Sequence, residues 1–154
     1  MALVRAPKLE PMVDDPDDYR PASRWALLTD PGDVAGRVEN LCMIVEEVGI
    51  GDRIPLHRHA VDEVVVILDG EAEVTLGDQK VFPAPGDVVF IPAGAVHGHR
   101  NVGEGPLEIH ATFPSTLIDI EMLERNPGPG TEGDAPSHTV YDARTGEFWN
   151  KGDR

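Results

Sequence analysis

Apolar and polar residues alternate through the middle of this chain with the period of a strand. Leu107, Ile109, Ala111 and Phe113 interleave with Glu108, His110 and Thr112, and Ala72, Val74 and Leu76 interleave with Glu71, Glu73 and Thr75. Successive strand residues point to opposite faces, so each run predicts a two-sided strand. Residues 63–68 are nearly continuous β-branched side chains and predict a buried strand. Residues 38–48 predict a long strand without proline or glycine, and 79–82 and 88–91 predict short ones. Residues 53–59 and 96–101 read as extended, and 25–28 as a first apolar patch. Turn signals separate these runs: Asp30-Pro-Gly-Asp33, Gly49 to Asp52, Asp69-Gly70, Gly77-Asp78, Pro83 to Gly86, Pro92 to Gly94 and Gly103 to Pro106.

Short strands between turns, with no helical period, predict an all-β antiparallel sandwich or barrel. It spans residues 24–114, with an acidic arm at 1–23 that reads as mobile or loosely docked, and an irregular extension at 115–154. Within the extension, 117–123 fits a helix or a strand. Asn126-Pro-Gly-Pro-Gly130 breaks the chain, and 138–149 predicts a hairpin bending at Thr145-Gly146. Its aromatics Tyr141, Phe148 and Trp149 are expected to dock on this barrel or on a neighbouring subunit.

Composition narrows the function. The 154 residues suit one domain with a sizeable core. A net charge of −15, from 13 basic and 28 acidic residues, argues against nucleic acid and against an anionic membrane surface. The one cysteine, Cys42, can form no internal disulfide and reads as a small buried hydrophobe. With no apolar leader and no run of spanning length, the expected compartment is cytoplasmic.

The candidate chemistry lies in Gly51 to Gly70. His57 and His59, two apart on an extended segment, can aim two imidazoles at one point. Glu63 opens the buried strand, where a carboxylate must be paired, hydrogen-bonded or bound to a metal. His97 follows a second glycine- and proline-rich turn that can return the chain toward these three, completing a candidate ligand set.

Ten positions then carry a resemblance. Gly51, His57, His59, Glu63 and Gly70 match the first cupin motif, and Gly86, Pro92, Gly94, His97 and Asn101 match the second. The chain resembles the small single-domain metal-binding cupins over about residues 38–113, with the motif core at 51–101. The resemblance implies a jelly-roll β-barrel of two sheets holding one divalent metal between His57, His59, Glu63 and His97. It also implies a homodimer. Three imidazoles and a carboxylate suit Fe, Mn, Ni, Zn or Cu without choosing among them, and leave coordination positions open. The implied function is a metal-dependent enzyme on a small molecule, of oxygenase type or a Lewis-acid isomerase or lyase. A non-catalytic ligand-binding or sensor module, or a purely structural metal, stands as the alternative.

Further residues are open. His99 shares the strand parity of His97 and either faces the pocket or twists to solvent. His110 is a candidate acid or base if the polar face of its strand turns inward, although an apolar inward face is the simpler reading. Arg53 either meets an anionic ligand or is solvent-exposed. Glu46 and Glu47 read as solvated strand charges, and Trp25 and Met43 as core or pocket. His138 receives no role.

Overall fold

Strand β10 (Leu107–Phe113) carries out the alternation of its sequence: Leu107, Ile109, Ala111 and Phe113 are buried and the residues between them are half-exposed. It is central to one of two sheets in the computed structural model, which describes residues 3, 5–29 and 38–154. The preceding strands are β1 (Glu10–Met12), β2 (Arg20–Leu27), β3 (Cys42–Val48), β4 (Arg53–Arg58) and β5 (Glu63–Asp69). Next come β6 (Ala72–Leu76), β7 (Gln79–Val81), β8 (Val88–Ile91) and β9 (His97–Asn101). After β10 follow β11 (Leu117–Met122), β12 (His138–Asp142) and β13 (Glu147–Asn150).

The first sheet has the order β1-β2-β3-β10-β5-β8, the second β13-β12-β11-β4-β9-β6-β7. The strand pairs within both sheets are antiparallel. Among the described residues there is no helix, and so none long and apolar enough to cross a membrane. The fold is the expected all-β jelly roll. Val65 and Ile67 from β5, Val74 from β6, Ile109 from β10 and Ile118 from β11 meet between the sheets, where burial of apolar surface drives their packing.

Both flanks are more ordered than their composition suggests. The arm forms a bulged hairpin, β1 with β2, that adds two strands to the first sheet. Arg20 is buried there, bonding Asp18 through Nε (2.8 Å) and Nη2 (2.7 Å) and Glu46 through Nη2 (2.9 Å). Low hydrophobicity does not reveal this, because backbone pairing to β3 and the polar bonds of Arg20 tie the arm to the sheet. The turn expected at Asp30-Pro-Gly-Asp33 lies outside the described residues.

The extension, expected to be irregular, supplies three strands of the second sheet, so residues 117–122 are strand and not helix. β11 adds to β4, pairing Glu121 with Arg58 and Met122 with His57. The hairpin at Thr145-Gly146 forms as expected between β12 and β13. The tail therefore pairs with the strand that bears His57, one of the candidate ligands. Cys42 is fully buried, and burial raises its thiol pKa to about 11.

Candidate metal centre

Register brings the candidate ligands together. β4 and β9 pair with His57 opposite His97, a bulge having shifted the ladder after the Ile54–His99 pair. Their rings lie 4.2 Å apart between centroids, with His59 at 4.8 Å from His57 and 5.4 Å from His97. Glu63 enters from the other sheet at the start of β5, opposite Ile91 of β8. All four side chains are buried, and one ligand atom from each lies within 4.8 Å of the others. The two glycine-rich turns are tied together, since Gly94 N–H donates to the His59 carbonyl at 2.7 Å. Asn101 clamps the far end of β9, its amide donating to the Val48 (2.9 Å) and Gly105 (2.8 Å) carbonyls.

Each imidazole is oriented by its outer nitrogen. Nδ1 of His57 bonds the Pro55 carbonyl (2.7 Å), Nδ1 of His59 the Asp119 carbonyl (2.6 Å), and Nδ1 of His97 the Ala95 carbonyl (2.9 Å). A carbonyl only accepts, so each Nδ1 carries the proton and each Nε2 offers a lone pair. Burial, together with His97 and His59, drives the His57 pKa well below its ordinary value, and burial also lowers His59. Burial alone would raise Glu63, but the surrounding histidines, His97 foremost, hold it down at about 2.

These residues fit a metal. His97 Nε2 and Glu63 Oε2 lie 2.8 Å apart, yet both are buried without an aligned hydrogen-bond partner. Buried polar atoms left unpaired are costly, and a cation at their common focus would satisfy them.

The site opens into a cavity of about 500 Å³. His99 is buried and lines it, its ring 6.1 Å from that of His97, with neither ring nitrogen bonded. Burial pushes its pKa down to about 4. His110 does not join them: Ile109, Ala111 and Phe113 face the cavity, and strand parity sends His110 to the opposite face. Arg53 is also elsewhere, held by Glu124 and Asn126.

Glu46 overturns its reading as a solvated charge. It lines the cavity, because it shares the inward parity of Ile44 and Val48. Glu47 faces out and pairs with Arg24 at 2.6 Å. Trp25 lines the cavity beside Tyr141, edge to face at 6.3 Å; Met43 does not.

Residues 44–113 match the family model described as the cupin domain. These residues form a cupin domain. An uncharacterized protein of Methanocaldococcus jannaschii is 34% identical over 80 residues, which are 50% of this chain and 64% of that protein. The quercetin 2,3-dioxygenase of Bacillus subtilis is 42% identical over 80 residues, 51% of this chain and 24% of that enzyme. The chain thus spans less than two thirds of either relative. The polyketide cyclase RemF of Streptomyces resistomycificus shares the fold, with a TM-score of 0.61 at 22% identity over 82% of each chain.

Outside this cupin core, sequence reasoning misses Asp119, His138 and Lys151 in the tail. The Asp119 carboxylate accepts from Ala60 N–H (2.7 Å), bonds His138 Nε2 (3.0 Å) and meets Lys151 Nζ (3.3 Å). No motif spacing marks them. Glu46 does leave a signal, as an acid at an inward position of an otherwise apolar strand face.

Proposed function

We propose that this cupin is a metal-dependent enzyme acting on a small molecule, of oxygenase type in the first place and a Lewis-acid isomerase or lyase in the second. His57, His59, Glu63 and His97 would hold one divalent transition ion. Such an ion supplies either redox chemistry with dioxygen or polarisation of a carbonyl or enol oxygen.

The observation that carries the reading is His99. A neutral imidazole, buried beside the ligand cluster with neither nitrogen bonded, is uncompensated unless a bound molecule reaches it. It can take a proton from that molecule or return one. Trp25, Phe113, Tyr141 and Phe148 along the cavity would hold an apolar body and displace water from it. The similarity to a quercetin 2,3-dioxygenase over the cupin core supports the oxygenase order of preference. Homodimerisation, implied by the cupin resemblance, belongs to the same proposal and is tested by light scattering.

The deciding experiment measures metal content of the purified protein, then oxygen uptake and product formation on a panel of chelating phenols, enols and hydroxyketones. Iron with oxygen uptake supports the first order. Turnover with zinc, manganese or nickel and no oxygen uptake reverses it. Stoichiometric metal with ligand binding but no turnover leaves a binding module in place of an enzyme.

A further inference from the structure

A row of paired residues crosses the inner wall of the first sheet: Trp25 on β2, Glu46 on β3, Ile109 on β10 and Ile67 on β5. Three members are apolar and one is a carboxylate. An acid in the middle of an apolar inner face breaks the pattern that folds the sheet, and such breaks gather at functional sites. Arg20 offsets part of the cost, but its one guanidinium is shared between two carboxyl groups, Asp18 and Glu46. Arg20 itself does not line the cavity, whereas Asp18 and Glu46 do, as do Asp14 and Asp15. Among the described residues Glu46 accepts one hydrogen bond, from Arg20 Nη2, and retains capacity for more.

The cavity thus has two polar places in an apolar shell. One is the ligand cluster with the unbonded His99, and the other is the set of acids Asp14, Asp15, Asp18 and Glu46. We propose that the bound molecule is a bipolar aromatic or similarly apolar compound, with an oxygen donor at the metal and a hydroxyl or protonated amine donating to Glu46. The end away from the metal carries no carboxylate or phosphate, which would lie against these acids at a like-charge cost. This rests on the metal-centre reading for its oxygen-donor end only.

The test uses catechols with one chelating head and different tails: 4-methylcatechol, dopamine and 3,4-dihydroxyphenylacetate. They are titrated anaerobically into zinc-loaded full-length protein by calorimetry, after zinc stoichiometry is measured. Dopamine is expected to bind at least about 10-fold more tightly than the acid, as a charge-assisted hydrogen bond would give. Glu46→Gln is expected to bring the two within about 3-fold of each other, since the shape is kept while the carboxylate is lost. Asp15→Asn serves as the second variant should Glu46→Gln fail to fold, and is expected to narrow the same ratio. Equal or tighter binding of the acid to wild-type protein overturns the proposal, and so does a ratio that the folded variants leave unchanged. If no zinc is taken up, the metal reading fails separately. Tyramine against 4-hydroxyphenylacetate on the unloaded protein then gives the amine-over-acid ordering, and its absence overturns the proposal.

Discussion

Nδ1 of His59 donates to the backbone carbonyl of Asp119 at 2.6 Å, so a candidate ligand just beyond β4 is aimed by a residue of the C-terminal extension. The Asp119 carboxylate in turn holds Ala60 N–H, His138 and Lys151. Partners behind a ligand typically set metal affinity by about 10- to 100-fold. Asp119→Ala keeps that carbonyl but releases the three groups its carboxylate holds, so it is expected to loosen the carbonyl's position and weaken metal binding by up to about 10-fold, and His138→Ala by less. Competition with a chromophoric chelator reads this directly. Unchanged affinity in a folded Asp119→Ala protein would show that the carboxylate and its partners do not set the position of the carbonyl behind His59.

The ligand cluster itself makes a stronger demand. His97→Ala removes one of four convergent donors and Glu63→Gln replaces a charged one by a weaker neutral amide oxygen, so each should leave little metal after dialysis. Metal that binds only the folded state adds stability by mass action, about 4 kcal/mol at a thousand-fold excess over Kd. For a chain of this length, chelation should lower Tm on the order of 10 °C. A melting curve indifferent to chelator would remove the metal from the account.

His99 and His110 separate by the faces on which they lie. His99→Phe should retain the metal and lose turnover by about 100-fold, the usual worth of a positioned acid or base. His110→Ala should change neither, because its strand turns it away from the cavity. Full turnover in His99→Phe would assign proton transfer to another group.

The two motifs make the four convergent side chains legible in the chain itself. Glycines, a proline and histidines at fixed offsets encode local turns, and local turns survive in sequence. What is not legible comes from register and long-range pairing. Whether His110 or Ile109 faces inward depends on which side of β10 the second sheet lies, and either phase fits an alternating strand. Asp119 meets His59 only because β11 adds to β4 from a distant part of the chain, a pairing no local pattern records. Glu46 misleads for another reason: its charge suggests solvent, whereas its parity with Ile44 and Val48 turns it inward.

Acid should act on the metal-free protein through its histidines. A fold that binds fewer protons than its unfolded chain loses stability as pH falls. His57, His59 and His99 are all pushed below their ordinary value of 6.5 by burial, so all three are neutral when folded and protonate on unfolding. Their contribution is complete above pH 6.5 and is lost as pH falls toward the folded value, about 4 for His99. Each costs about 1.4 kcal/mol per pH unit while the two states differ by one proton. Chelator-treated protein should therefore melt progressively lower as pH falls from 6.5 to about 4. A flat profile over that window would mean that these rings are protonated in the fold.

Gly70 closes the first motif where two backbones touch. Its φ is +90°, and an added Cβ would lie 2.6 Å from the Pro106 carbonyl oxygen and 2.9 Å from Leu107 Cα. Neither neighbour is the end of a flexible side chain, and Leu107 is fully buried as the first residue of β10. Gly51 offers the contrast, with φ +77° and no atom within 4 Å of where a methyl group would sit. Gly51→Ala should cost about 1 kcal/mol, the conformational penalty alone. Gly70→Ala adds displacement of the β5–β6 turn from β10 and should cost at least about 3 kcal/mol. Urea unfolding of the two variants measures the difference, and equal midpoints would show that the hairpin moves aside without strain.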